Sequence, residues 1–405
     1  MDTAKAKAEV IKAGRLLCEK GLIQRTWGNV SCRIDDSRFA ITPSGRDYLS
    51  LTPEDIVVVN ISDLQYEGDI KPSSEKGIHA ACYRLRKDVN FVIHTHQTFA
   101  SIVGITGYDI NHLSGEAAQI IGPHIPLALY GLPGTKKIKN NVSNALERSQ
   151  SKAVLMQHHG ALCTGESLED AFNVASALED VCREQLLGRY KELTGKTIDS
   201  FSSLSSYIAN RLMDKTCADE LEAFDSQRIF GTLEMTPSDG GDSVLIDIAS
   251  GKPLDPSAEC PDTAELHSRI YQTRKDVNSI VHSKEDSTLE MSKTGLTVKP
   301  FLDDFAQIVG LSLKNADYNP NNAMRSAKAA VKKLRHRDAV MLRHNGAVCV
   351  GSSSDEAQAV KLVTEKGCAA AVSAFAYGQE SKHINVVECA LMRFIYKHKY
   401  SKKKN

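Results

Sequence analysis

The chain has 405 residues, with 50 basic and 50 acidic side chains, so its formal net charge at pH 7 is zero. That length suggests about two or three domains of ordinary size, and 41% hydrophobic residues suffice for packed cores. The absence of a basic field argues against a nucleic-acid binder, and no apolar run is long enough to cross a bilayer.

The N-terminal stretch MDTAKAKAEVIKAGRLLCEKGL carries its apolar residues on a helical period. It predicts an amphipathic helix ending near Gly21, and it lacks the apolar segment and cleavage site of a signal peptide. RTWGNVSCR and TPSGRDY come next. Each is compatible with a tight turn. Together they offer Gly28 and Gly45, which let backbone approach a ligand closely, and Thr26, Asn29 and Ser44 as neutral donors able to hold an anion. DIVVVNI, NFVIH and AVLMQH are β-branched runs that predict strands. SEKGIHAACYRLR and DAFNVASALEDVCREQLLGRYKEL have helical periodicity. Ser73 and Ser74 precede the first of these helices and Glu75 lies in its first turn. This is either an anion site at a helix N-terminus or a plain cap with an acidic residue favoured by the helix dipole. The Ser/Asp-rich stretch from about Thr197 to Asp225 reads as a junction. The basic end, YKHKYSKKKN, reads as a frayed, solvated tail. The ten cysteines are scattered without a CxxC pair, as in a reduced, cytoplasmic protein.

The chain repeats itself. IHAACYRLRKDVNFVIHTH matches LHSRIYQTRKDVNSIVHSK without a gap, so His79, Tyr83, Arg86 to Asn90 and His94 recur as His267, Tyr271, Arg274 to Asn278 and His282. QIIG recurs as QIVG, AVLMQHHGALCTGESLEDA as AVMLRHNGAVCVGSSSDEA, and TPSG from Thr42 as TPSD from Thr236. Blocks in one order with loop-sized gaps are the mark of a duplicated α/β domain. The second copy is read as shorter at its start, with no counterpart of RTWGNVSCR.

His94 and His96 close a predicted strand, and alternation puts both imidazoles on one face. Such a pair suits zinc, although a lone His-x-His is equally compatible with two ordinary histidines. MQHHG supplies a third candidate, His158 or His159. His79 sits inside a helical run and recurs where the other histidines do not, which marks it as a packing or hydrogen-bonding residue.

Taken in order, RTWGNVSCR, TPSGRDYLSLTPEDIVVV, KPSSE, VIHTH and QHHG resemble the class II aldolase/adducin family over about the first 190 residues. The resemblance implies two tandem three-layer α/β domains, each a central mixed or antiparallel sheet flanked by helices. The boundaries expected are 1–210 for a catalytic domain, 211–395 for a degenerate copy and 396–405 for the tail. It implies one zinc per chain, held in the first domain by His94, His96 and His159. It assigns Glu75 as catalytic acid/base and Thr26, Gly28, Asn29, Ser44, Gly45, Ser73 and Ser74 as the phosphate pocket. A glutamate at position 75 leans toward the aldolase branch, whose members cleave a ketose 1-phosphate to dihydroxyacetone phosphate and an aldehyde. Epimerases, decarboxylases and dehydratases share the site type, and adducin-like members are non-catalytic scaffolds. Where fuculose-type aldolases carry a tyrosine from a neighbouring subunit, this chain has Ser114 and Gly115, with His112 and Glu116 nearby. A small phosphorylated sugar is the implied substrate, with neither nucleic acid nor membrane as partner. The implied assembly is a homo-oligomer, such as two chains forming a pseudo-tetramer.

In the second copy His96 becomes Lys284 and His159 becomes Asn345, while Ser73, Ser74 and Glu75 become Pro261, Asp262 and Thr263. A protonated lysine repels a dication. The second copy therefore reads as a fold kept without its chemistry.

Overall fold

The computed structural model describes residues 1–23, 27–213 and 218–400, and the chain divides into two units, residues 1–188 and 189–405. The first begins with α1 (Thr3–Glu19), capped by Asp2, whose carboxylate accepts the Ala4 N–H. It stops just before Gly21, which takes a left-handed φ of 66°. Seven strands follow: β1 (Gly28–Arg33), β2 (Arg38–Ile41), β3 (Val57–Asn60), β4 (Phe91–Thr95), β5 (Leu127–Ala128), β6 (Ala153–Met156) and β7 (Gly160–Gly165). Among them lie α2 (Lys76–Leu85), α3 (Thr98–Gly104), α4 (Gly115–Ile120) and α5 (Lys136–Glu147), and α6 (Leu168–Thr194) comes after β7.

The strands form one sheet in the order β3-β2-β1-β4-β7-β6-β5. Only the β5–β6 pair is parallel, so the sheet is mixed. Its face under α2 and α5 is filled by Phe39, Tyr83, Val92, Ile138, Val142 and Leu162. The fully buried side chains among these each contribute roughly 1.5–3 kcal/mol. α1 packs on β1 and β2, and α3 on β6 and β7. β4 lies at the centre of the sheet, and Val92 and His94 share one of its faces.

The second unit repeats this plan. α7 (Phe201–Leu212) precedes β8 (Phe224–Ile229), β9 (Thr232–Pro237) and β10 (Val244–Asp247); α8 (Ala264–Thr273), β11 (Ser279–Ser283), α9 (Asp286–Lys293) and α10 (Asp303–Ile308) follow. β12 (Asn315–Ala316), α11 (Ala323–Leu334), β13 (Ala339–Leu342), β14 (Ala347–Gly351), α12 (Ser354–Ala376) and α13 (Val386–Ile395) complete it. The strand order, β10-β9-β8-β11-β14-β13-β12, is that of the first unit, with one parallel pair in the same place.

Three local expectations change. The second copy does have a counterpart of the GNVSCR segment, namely β8. Ser31 opposes Val92 and Ser226 opposes Ile280, the equivalent register. Ser31 Oγ bonds His79 Nδ1 at 2.6 Å and the Tyr83 hydroxyl at 2.7 Å; Ser226 bonds His267 at 2.8 Å and Tyr271 at 3.0 Å. Arg33 and Arg228 each bond the carbonyls that close the following helix and lie over its tyrosine. FDSQR matches NVSCR only at Ser and Arg, too little to align by eye. The junction contains the helix α7, which buries Leu204, Ser205, Ile208 and Ala209; its serines mask an apolar helical stripe. The tail is not frayed at its start: Tyr396–Tyr400 continues as a helical turn, and Lys397 Nζ lies 3.0 Å from Asp338. Nine cysteines are free among the described residues, and no helix there is long and apolar enough to cross a membrane.

Candidate functional site

β4 delivers His94 to the middle of the sheet, fully buried, and His96 just past the strand end. The β6–β7 turn delivers the third histidine. His158 takes the left-handed conformation at φ 63°, and the turn directs His159 inward against the pair. His158 instead packs edge-on against Tyr130. Gly160 makes this approach possible, because a Cβ there would sit 2.2 Å from the Thr95 carbonyl oxygen. The ligand nitrogens of His94, His96 and His159 lie within 4.8 Å of one another, and no second group of this kind occurs among the described residues.

Glu75 is the N-cap residue of α2, but its side chain caps no helix N–H. It turns inward instead. Oε1 accepts from His159 Nε2 at 2.8 Å, and Oε2 accepts from Asn29 Nδ2 at 2.9 Å and lies 3.2 Å from His94 Nε2. Burial alone would raise its pKa. The surrounding His94, His159 and His96 and the bond from His159 outweigh burial and hold the carboxyl well below its ordinary range.

The donor set fits a cation. The Ala161 carbonyl can only accept, so His94 Nδ1 donates to it at 2.8 Å and Nε2 keeps its lone pair. Burial pushes His94 down to about 3, against the pull of Glu75. His94 Nε2 and Glu75 Oε2, both acceptors, thus face each other at 3.2 Å. A cation among the imidazoles satisfies both, and three histidines with an adjacent carboxylate suit zinc.

Of the predicted anion residues, Ser44, Gly45, Ser73 and Ser74 lie on two loops that pair next to Glu75. Pro43 and Pro72 bridge the two loops, and the Ser44 and Ser73 N–H groups bond Lys71 O and Thr42 O. Ser73 Oγ accepts the Glu75 N–H at 3.2 Å. Ser73 is buried, whereas Ser74 and Gly45 are exposed. Gly28 has a structural reason of its own, since a Cβ would lie 2.7 Å from the His94 carbonyl oxygen. Thr26 lies outside the described residues. The Asn29 amide is committed at both ends, to Glu75 and to His79 Nε2. This link was missed in the sequence, although Glu75 and His79 share a helix face at i and i+4, and Asn29 and Ser31 share a strand face. His112 and Glu116, at the position of the missing tyrosine, are both exposed.

The second unit has refilled the equivalent place. Asn345 accepts the Leu221 N–H at 2.7 Å and donates to Asp219 O at 2.9 Å. Lys284 Nζ donates to Leu221 O, and His282 Nε2 to Asn345 O at 2.6 Å. The side chains that replace two histidines now bind the segment 219–221.

Fold and site together define a duplicated α/β enzyme domain in which one copy retains a complete polar cluster. The family profile described as Class II Aldolase and Adducin N-terminal domain matches residues 8–186 and again 232–372. The chain belongs to the class II aldolase and adducin family. It is 32% identical over 176 residues to a 5-deoxy-D-ribulose 1-phosphate aldolase of Bacillus thuringiensis serovar kurstaki, covering 43% of this chain and 81% of the relative. It is 37% identical over 179 residues to a 5-methylthioribulose-1-phosphate/5-deoxyribulose-1-phosphate aldolase of Escherichia coli O45:K1, covering 44% and 82%. With L-fuculose phosphate aldolase of Escherichia coli K12 the figures are 35% over 179 residues, 44% and 81%. A solved L-fuculose 1-phosphate aldolase superposes on 49% of this chain and 92% of its own at 31% identity, with a TM-score of 0.44. These relatives are carbon–carbon lyases of the class II aldolase type, the enzyme class to which this chain belongs.

Proposed function

We propose that the chain is a zinc-dependent aldolase that cleaves a ketose 1-phosphate to dihydroxyacetone phosphate and an aldehyde, with one active site per chain. The supporting observation is the convergence of the His94, His96 and His159 nitrogens beside the buried Glu75 carboxylate, which contacts His94 and His159. The relatives carry the names of deoxyribulose, methylthioribulose and fuculose phosphate aldolases, which together favour a ketose phosphate.

His94, His96 and His159 would hold the ion. When bound, zinc supplies Lewis-acid polarisation of the ketose carbonyl. Thr26, Gly28, Asn29, Ser44, Gly45, Ser73 and Ser74 form the phosphate pocket, with Ser44, Gly45, Ser73 and Ser74 on the paired loops. Binding energy at this remote group fixes the reacting carbons. As the bond between carbons 3 and 4 breaks, its electron pair stays on carbon 3, and the hydroxyl proton of carbon 4 passes to the ionised Glu75 carboxylate as the aldehyde forms. Glu75 delivers the proton that carbon 3 gains, and removes it again in the condensation direction.

The functional domains are then residues 1–210, catalytic, and 211–395, non-catalytic, with 396–405 as tail. The second domain follows the adducin-like pattern of fold without chemistry, and the assembly is a homo-oligomer in which two chains make a pseudo-tetramer. Free cysteines suit a cytoplasmic enzyme.

The test is incubation of the zinc-loaded full chain with a panel of ketose 1-phosphates while dihydroxyacetone phosphate is followed. Release from at least one member, stopped by a chelator, is expected. Zinc-dependent epimerisation, decarboxylation or dehydration without such release would move the enzyme to another branch of the family. No zinc and no turnover would leave the scaffold reading.

A further inference from the structure

We propose that His79 is a positioning residue for the reaction, acting through Asn29 to hold the Glu75 carboxylate against the three histidines. The proposal rests on Glu75 being the acid/base group.

A buried chain of hydrogen bonds runs from Tyr83 through Ser31, His79 and Asn29 to Glu75. Its direction follows from its end. Asn29 Nδ2 donates to Glu75 Oε2 at 2.9 Å, which leaves Oδ1 turned toward His79. Asn29 Oδ1 only accepts, so the His79 proton sits on Nε2. His79 Nδ1 therefore accepts from the Ser31 hydroxyl at 2.6 Å, and Ser31 accepts from Tyr83 at 2.7 Å. Every donor points toward Glu75, and aligned bonds in a water-excluded interior reinforce one another. Burial pushes His79 down to about 4, against the pull of Glu75, so the ring stays neutral with a single N–H to give. Without that N–H the Asn29 amide is free to flip, and its oxygen would then face the carboxylate.

The second unit separates this role from folding. Ser226, His267 and Tyr271 keep the first half of the chain. The second half is gone: Phe224 stands where Asn29 stands, and Thr263 where Glu75 stands. His267 Nε2 and Thr263 Oγ1 are buried with no hydrogen-bond partner among the described residues. The serine–histidine–tyrosine cluster thus accompanies the fold in both units. The Nε2 bond occurs only where there is a carboxylate to position.

The experiment compares His79→Asn, His79→Gln and the matched His267→Asn in the zinc-loaded full chain. Glutamine keeps a donor near the Nε2 position; asparagine keeps only the side facing Ser31. The first readout is exchange of deuterium from solvent into the hydroxymethyl carbon of dihydroxyacetone phosphate, which needs no knowledge of the aldehyde. The second is the position of the Glu75 carboxylate in crystals of each variant. His79→Asn is expected to slow exchange about 10–100-fold, with full zinc content and an apparent KM for dihydroxyacetone phosphate within about twofold of wild type. It should also lose the Asn29–Glu75 bond. His79→Gln should restore most of the rate, and His267→Asn should leave it unchanged. Wild-type exchange in His79→Asn, equal losses in both His79 variants, or an intact Asn29–Glu75 bond in His79→Asn would overturn the proposal. If His79→Asn does not fold, His79→Leu, which fills similar space without an N–H, replaces it, with the same slowed exchange and displaced carboxylate expected and a wild-type rate or an unmoved carboxylate overturning. Exchange by Glu75→Gln at the wild-type rate, or none by wild type, would instead refute the acid/base role, and the crystals alone would then decide the positioning.

Discussion

Replacing Glu75 by glutamine preserves shape and removes the acid. The carboxylate accepts from His159 at 2.8 Å and from Asn29 at 2.9 Å, one oxygen for each. Glutamine has a single acceptor oxygen. If that oxygen keeps His159, the new amide nitrogen faces Asn29 Nδ2, donor against donor. Flipping Asn29 only moves the conflict to His79 Nε2. One buried donor left unpaired costs about 1–3 kcal/mol, partly offset because no ionised carboxylate remains to be desolvated. The effect on rate is larger. General acid/base catalysis is worth about 10²–10⁴-fold, or roughly 3–5 kcal/mol of barrier. We expect Glu75→Gln to lose turnover by that factor while keeping its zinc, because all three imidazoles are retained. Dihydroxyacetone phosphate release gives kcat, and metal analysis gives the zinc content. A fully loaded variant with kcat within about threefold of wild type would refute the acid/base assignment.

Two further outcomes follow from the second unit and the buried histidines. The double variant Lys284→His, Asn345→His restores the residue types of the first unit but not its site, since the segment 219–221 lies against both positions and Thr263 brings no carboxylate. Metal analysis should find no second zinc per chain; two would show that the side chains alone had closed the site. Burial pushes His267 and His282 down to about 3 and about 4. Above the ordinary histidine pKa of about 6.5 both states are neutral and the stability is fully present. As pH falls through 6.5 toward 3, the unfolded chain takes up protons that the native state refuses, and stability is lost at about 1.4 kcal/mol per unit of depression for each ring. The urea midpoint should therefore drop between pH 7 and 4; a constant midpoint over that range would contradict neutral burial.

The elements that position the site were legible because they obey simple periods. NFVIH reads as a strand, and the two-residue period carried through VIHTH predicts His94 on β4 and His96, just past its end, on the same side. The ungapped repeat from Ile78 to His96 anticipated two units of one topology. What escaped the sequence depends on contacts between distant segments. Strand pattern alone left His158 and His159 open and the family resemblance chose His159; the physical reason is a left-handed residue and the room left by Gly160. β8 hid because only Ser226 and Arg228 are kept, the two residues that bind the neighbouring helix. Asn29 suggested an anion ligand by type, yet its amide is engaged by Glu75 and His79, neither near it in sequence. Lys284 and Asn345 read as losses, whereas the structure gives both a new partner in the segment 219–221.

Metal content read together with turnover tests the central claim most directly. Full-length protein saturated with zinc and dialysed should hold one zinc per chain and release dihydroxyacetone phosphate from a ketose 1-phosphate. His96→Ala should hold none and release none, while Lys284→Ala should match wild type in both. Two zinc ions per chain, or undiminished release by His96→Ala or by chelated wild type, would contradict a single metal-assisted site built on His94, His96 and His159.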